Sequence, residues 1–195
     1  MFVLSLLSHK LRLPLDLPNL SPEVYFRRQL EMLFVDKVIS KLGLCVSVYD
    51  LRKIEGGFIE VGQGWPSYEV EFRVIIFCPF VGEVISAKIK HQDETGLVLT
   101  LGFFDDIHIP AAYMQQPSTC KFDPVRKQNL WVWLSKHEEF VIDGSEEIRF
   151  QVQSVNFPPL PLQVPENSQP FAPMVVIGSI CGEGLGLLSW WDDDY

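Results

Sequence analysis

Apolar and polar positions alternate over most of this chain. Met1–Leu7 is a short apolar run that predicts a strand tied into a sheet. Pro14 and Pro18 make residues 9–19 extended or looped. Ser21-Pro22-Glu23 is a helix start: Ser21 can cap, Pro22 suits the first helical position, and Glu23 favours the positive end of the dipole. With Gly43 as the stop, the predicted helix runs from Pro22 to Leu42. Leu30, Phe34, Val38 and Leu42 form its apolar ridge. Leu33, Val35 and Ile39 widen the sector, which serves either its own sheet or a partner chain. Residues 44–50, 56–61 and 68–77 read as three further strands. In the last, Val70, Phe72 and Val74 oppose Glu69, Glu71 and Arg73. Residues 1–80 therefore predict an α+β N-terminal domain, an antiparallel sheet with one long helix across one face.

Cys78-Pro79-Phe80 breaks the strand pattern, and only about two residues separate it from the next run. A connection that short predicts two domains held at a nearly fixed angle. From Glu83 onward the strands shorten. Ile85, Ala87 and Ile89 oppose Ser86, Lys88 and Lys90, and Leu97, Leu99 and Leu101 oppose Val98 and Thr100. Ile107 and Ile109 oppose Asp106 and His108, and Leu130, Val132 and Leu134 oppose Trp131 and Trp133. Ile148, Phe150 and Val152 oppose Arg149, Gln151 and Gln153, and residues 174–181 supply a last strand. Residues 110–129 read as irregular. Short strands with period-two patterning predict an all-β OB-fold barrel over residues 81–195. Within it, residues 156–173 hold six prolines and one charged side chain and read as a long loop.

Charge narrows the reading. The net charge is −9. Residues 1–80 carry nine basic and nine acidic side chains, and residues 81–195 carry seven basic and sixteen acidic. The barrel half is therefore acidic. Tight sequence-independent binding through phosphates is disfavoured, and a nucleic-acid contact is expected to be modest or made within an assembly. The four cysteines, Cys45, Cys78, Cys120 and Cys181, form no metal-spaced pair, and reduced structural thiols are expected. The N-terminal apolar run is too short for a membrane span and lacks a signal peptide's flanks.

Candidate chemistry is sparse. His9, His91, His108 and His137 lack ligand-spaced neighbours, so no metal site is expected. Neither a nucleophile elbow nor a phosphate loop occurs, no cofactor is implied, and Asp105-Asp106 fits a turn-capping role. The glycines of 178–186 lack a lysine and a following helix, and read as a turn. Nucleic-acid binding is the stronger option. OB barrels bind single strands on the face of their second and third strands. Here that face carries Val98, Thr100 and His108, with Phe103 and Phe104 at the connecting turn. Lys88, Lys90 and Arg149 supply local cations, and Trp131 and Trp133 supply rings that either stack on bases or pack the protein. The loop of Gly62, Gly64, Trp65 and Pro66 presents a tryptophan that a partner or its own domain would cover, and Trp190-Trp191 raise the same alternatives.

The segments GQGWPSYEVEFRVIIFCPFVGEVISAKI, GLVLTLGFFDDIHIP, LWVWL, EEIRFQV and GSICGEGLGLLSWW resemble the larger stalk subunits of eukaryotic DNA-directed RNA polymerase III. That family is shared more broadly with polymerases I and II and the archaeal polymerase. The resemblance covers nearly the whole chain and is weakest in the loops at 8–20, 111–129 and 156–173. It implies a nuclear, non-catalytic subunit acting in initiation on genes for transfer RNA, 5S ribosomal RNA and other small RNAs. It implies docking on the polymerase core through a tip loop matching Gly62–Pro66. A smaller helical stalk subunit is implied as partner, near the junction at Pro79, Phe80 and Gly82. The barrel is implied to meet nascent RNA or initiation factors. The other reading is a free-standing OB-fold protein that binds single-stranded RNA; an enzyme has no supporting residue cluster.

Overall fold

The computed structural model describes residues 1–14, 21–59, 64–124, 127–135, 138–144, 146–159 and 171–191. The proline-rich run at 160–170 and the Asp192–Asp194 tail lie outside the described residues. The chain forms two compact units, Met1–Cys78 and Pro79–Tyr195.

The first unit is a four-stranded antiparallel sheet with one helix. Its elements are β1 (Phe2–Arg12), α1 (Pro22–Phe34), β2 (Lys37–Ile39), β3 (Gly43–Ile59) and β4 (Pro66–Phe77), and the sheet order is β1-β4-β3-β2. Val70, Phe72, Val74 and Ile76 alternate along β4 and lie buried beneath Phe26 and Leu30 of α1. Burying a side chain of that size contributes about 1.5–3 kcal/mol, so this layer is the unit's main source of stability. Phe34 closes it, its ring centroid 5.3 Å from Phe72 and 5.4 Å from His9.

The helix is shorter than the apolar ridge predicts. It ends at Phe34, and Val38 and Leu42 lie beyond it. Val35 donates its N–H to Glu31 O at 3.0 Å, and Asp36, at φ 61°, then donates to Cys45 O at 2.9 Å. The chain thus turns directly onto the sheet. β-Branched Val38 and Ile39 pair with Leu44 and Gly43 in a tight hairpin. At the other end, Ser21 makes no side-chain capping bond, and Pro22 and Glu23 carry the start.

β3 is one continuous strand where two were expected. Its register against β4 slips between Cys45 and Ser47, Val48 and Asp50, Leu51 and Lys53, and Gly56 and Phe58. Each slip inserts one extra residue: Val46, Tyr49, Arg52 and Gly57. Cys45, Val48, Leu51 and Ile54 consequently face the core at three-residue spacing, opposite Ile76, Val74, Phe72 and Val70.

The second unit is a barrel with a sheet inserted. Its strands are β5 (Val84–Asp93), β6 (Gly96–Thr100), β7 (Ile107–Pro110), β8 (Ser118–Asp123), β9 (Gln128–Ser135), β10 (Glu138–Ile142), β11 (Glu147–Asn156), β12 (Val175–Ser179) and β13 (Gly186–Leu187). β5, β6, β7, β12 and β11 pair in that cyclic order, and β11 returns to β5, closing a five-stranded OB-type barrel. Ile85, Ala87, Leu97, Leu99, Ile107, Ile109, Ile148, Phe150, Val152 and Val176 fill it. Leu130–Leu134 is not a barrel wall. It belongs to a separate three-stranded sheet, β10-β9-β8, inserted between β7 and β11. Residues 110–129, read as irregular, contain β8, which pairs with β9 from Ser118↔Trp133 to Asp123↔Gln128.

Candidate nucleic-acid interface

The outer face of β5, β6 and β7 gathers the polar side chains. Lys88 of β5 lies opposite Thr100 of β6. A bulge between Ile89 and His91 follows, and it changes the phase of the strand. Simple alternation would turn His91 inward. The extra residue instead leaves Lys90 and His91 both exposed and buries Gln92. His91 then sits opposite Val98, and Val98 sits opposite His108. The face therefore carries a cross-strand row, His91–Val98–His108, beside the Lys88–Thr100 pair. His91 is the residue that alternation alone assigns to the wrong side.

Acids temper this face. Lys90 Nζ lies 2.7 Å from Asp105 Oδ2, and the Thr100 hydroxyl donates to the other Asp105 oxygen. The hydrogen bond from Lys90, then that from Thr100, holds the Asp105 carboxyl below the usual carboxylate range. Burial pushes the neighbouring Asp106 up, partly offset by the His108 charge. Lys88 and Arg149 are exposed; Lys88 lies opposite Glu147, and Arg149 opposite Ser86. The Lys90–Asp105 pair is exposed on both sides and contributes about 0.2–1 kcal/mol to stability. Its larger effect is to neutralise one of the cations available to a phosphate.

The candidate rings differ in placement. Phe103 is exposed, whereas Phe104 is buried in the unit's core. Trp131 is 6% exposed, and its indole N–H donates to Asp93 O at 2.8 Å. Trp133 is half-buried among Phe140 and Trp190, with ring centroids 5.2 and 5.1 Å away. Trp191 donates its indole N–H to Leu185 O at 2.9 Å. Of the four candidate rings, Phe103 is the one presented to solvent.

In the first unit, Gly62 lies outside the described residues. Gly64 stands in open space, Trp65 is exposed, and Pro66 begins β4 opposite Ile59. Phe58 and Ile59, unremarked in the sequence reading, are 78% and 61% exposed at the same hairpin end. The signal available was two apolar residues directly before a glycine-rich loop. At the start of the second unit, Pro79 is buried and Phe80 is exposed. Gly82, at φ 89°, donates its N–H to Val152 O at 2.8 Å. Gly82 therefore anchors the start of β5 against β11.

A sheet-and-helix unit followed by a closed five-stranded barrel with a polar outer face defines a two-unit protein of the OB class. The family model described as "RNA polymerase III subunit Rpc25" matches residues 83–169. A relative from Schizosaccharomyces pombe, "DNA-directed RNA polymerase III subunit rpc8", is 38% identical over 173 residues, 81% of this chain and 83% of that protein. Its counterpart from Saccharomyces cerevisiae, "DNA-directed RNA polymerase III subunit RPC8", is 30% identical over 98% of this chain and 100% of its own length. The archaeal "DNA-directed RNA polymerase subunit Rpo7" of Saccharolobus solfataricus is 28% identical over 65% of this chain and 67% of its own. The chain belongs to the RPC8 family of DNA-directed RNA polymerase III subunits, and so to the transcription machinery.

Proposed function

We propose that this chain is a non-catalytic stalk subunit of RNA polymerase III, working in the nucleus. In this reading it acts in initiation on genes for transfer RNA, 5S ribosomal RNA and other small RNAs. Residues 1–80 form the polymerase-docking domain and residues 81–195 the RNA-facing OB domain. The observation that carries the reading is the 38% identity to the fission-yeast subunit over four-fifths of the chain.

The docking element is the β3–β4 hairpin end, where Phe58, Ile59 and Trp65 are exposed beside Gly64 and Pro66. Gly62 is the remaining candidate for this contact. Exposed apolar side chains gathered at one end support a protein contact. A smaller helical stalk subunit is the second partner. Pro79, Phe80 and Gly82 are the candidates for its contact. The barrel meets nascent RNA with Lys88, Lys90, His108, Arg149 and Phe103; initiation factors are the other partners of this surface. Phe104, Trp131 and Trp133 support it from within.

The test is affinity purification of the tagged full-length chain from nuclei. RNA polymerase III core subunits and a small helical subunit are expected in the eluate. Their absence from an eluate that holds the folded, tagged chain would overturn the reading.

A further inference from the structure

The barrel's outer face presents a charge problem that the register addresses. Lys90 is engaged by Asp105, and Glu147 lies opposite Lys88. Asp93 sits at the end of β5, with its Oδ2 3.9 Å from His91 Nε2. Asp106 precedes His108 and feels its charge. Thr100 and Val98 of β6 carry no charge, and neither does Ile177, which lies opposite His108 on the parallel neighbour β12. With both imidazoles neutral, the fixed cations of this face, Lys88, Lys90 and Arg149, are outnumbered by Asp93, Asp105, Asp106 and Glu147. An RNA phosphate approaching it meets little net attraction. With both imidazoles charged, two cations flank Val98 in one row across three strands. Two strand spacings set that row at about 10 Å.

We propose that His91 and His108 are the phosphate-binding pair of this face, and that the barrel takes single-stranded RNA in the form in which both imidazoles carry a proton. The inference rests on the RNA-facing reading of the barrel and adds to it a residue, His91, and a proton. Three observations carry it. The bulge at Lys90 brings His91 outward, so both histidines reach the same face. Val98 separates them by register and provides an apolar floor for a base or ribose. His108 also lines a shallow cavity of about 210 Å³ with Thr95, Gly96, Val98 and Pro110, which gives a base room beside the imidazole. Histidine is the side chain whose charge changes between pH 5 and 8. Proton uptake is therefore coupled to RNA binding, and acidification strengthens the contact while the Lys88 contribution stays constant.

The experiment measures the affinity of the full-length chain for a labelled oligouridine of about 16 nucleotides at fixed ionic strength, from about pH 8 to about pH 6. The wild-type dissociation constant is expected to fall about tenfold across that window, equivalent to about 1.4 kcal/mol. His91→Gln and His108→Gln should each flatten the dependence, and the double variant should abolish it. Lys88→Ala should weaken binding equally at every pH. Thermal melts of each variant control for folding, and the wild-type titration needs no variant at all. A wild-type affinity that stays flat with pH overturns the proposal, as does a pH dependence that survives in a folded double variant. Absence of binding at every pH instead removes the RNA-facing reading itself.

Discussion

Trp131 donates its indole N–H to the backbone carbonyl of Asp93, 2.8 Å away, and so fastens the inserted sheet to the end of β5. Gln92 reinforces the joint. Its Oε1 accepts from the Trp131 backbone N–H at 3.3 Å, and its Nε2 donates to Ile142 O at 3.1 Å. A tryptophan on an alternating strand reads equally as a ligand platform or as packing, and here the hydrogen bond and the burial assign it to packing. Trp131→Phe keeps most of the apolar volume and removes the strong donor, leaving the carbonyl with the weak Cys120 thiol contact at 3.9 Å. The expected loss is about 1–3 kcal/mol in a denaturant midpoint. RNA affinity of the folded variant should stay within twofold of wild type. A variant as stable as wild type but defective in RNA binding would return Trp131 to the surface.

Asp93 has a second task, through its side chain. Its Oδ1 accepts from the Thr95 hydroxyl at 2.5 Å, from the Thr95 N–H at 2.7 Å and from the Gly96 N–H at 3.1 Å. These bonds, the Thr95 hydroxyl first, hold the carboxyl below its ordinary value. A carboxyl lowered in the folded state stabilises the fold fully above its unfolded value of about 3.9 and loses that contribution as pH falls through the folded value. Stability should therefore decline on acidification below about pH 4. Asp93→Asn should show a shallower decline there, together with a lower starting stability at neutral pH. Denaturant midpoints taken every half unit of pH compare the two; parallel curves would count against the turn as an acid-labile element.

The same turn depends on Gly96. Its φ is +146°, and a Cβ there would run into the Ile109 carbonyl oxygen on the neighbouring strand. Gly184, at φ +76°, has nothing within 4 Å of its Cβ position. Both positions disfavour an L side chain, but Gly96 adds a backbone collision. Gly184→Ala should cost about 1–2 kcal/mol from conformation alone. Gly96→Ala should cost at least about 3 kcal/mol, or leave the chain unfolded, because β6 and β7 must separate to admit the methyl group. Equal losses from thermal or chemical denaturation would show that the collision is relieved elsewhere.

These elements also mark where the sequence was legible. Strict alternation gave the right fold class: Ile148, Phe150 and Val152 face inward as read, and the OB barrel closes around them. It failed wherever an extra residue entered a strand. β3 takes four such residues; the first three make its core positions recur every third residue, and the strand reads as two fragments. One bulge in β5 reverses the side to which His91 belongs. The ridge Leu30, Phe34, Val38, Leu42 has helical spacing, yet its second half supplies a hairpin, because backbone groups of β3 were there to pair with it. Spacing cannot reveal a competing backbone partner. Nor could alternation reveal that the Trp131–Trp133 strand joins a second sheet, because inserted and barrel strands share a period of two.

The exposed end of the β3–β4 hairpin offers the most direct check on docking. Phe58, Ile59 and Trp65 are exposed there, and their loss removes little packing from the unit's core. Phe58→Ser together with Trp65→Ser should therefore leave the melting transition nearly unchanged, within about 0.5 kcal/mol per site. If these side chains enter pockets on the polymerase core, each is worth about 2 kcal/mol or more of binding. Recovery of core subunits with the tagged double variant should then fall at least tenfold against wild type. The small helical partner should still co-purify, since its proposed contacts lie at Pro79, Phe80 and Gly82. Undiminished recovery of core subunits would move the docking surface elsewhere on the unit, and the exposed strip of Phe2, Leu4 and Leu6 on β1 would be the next to substitute.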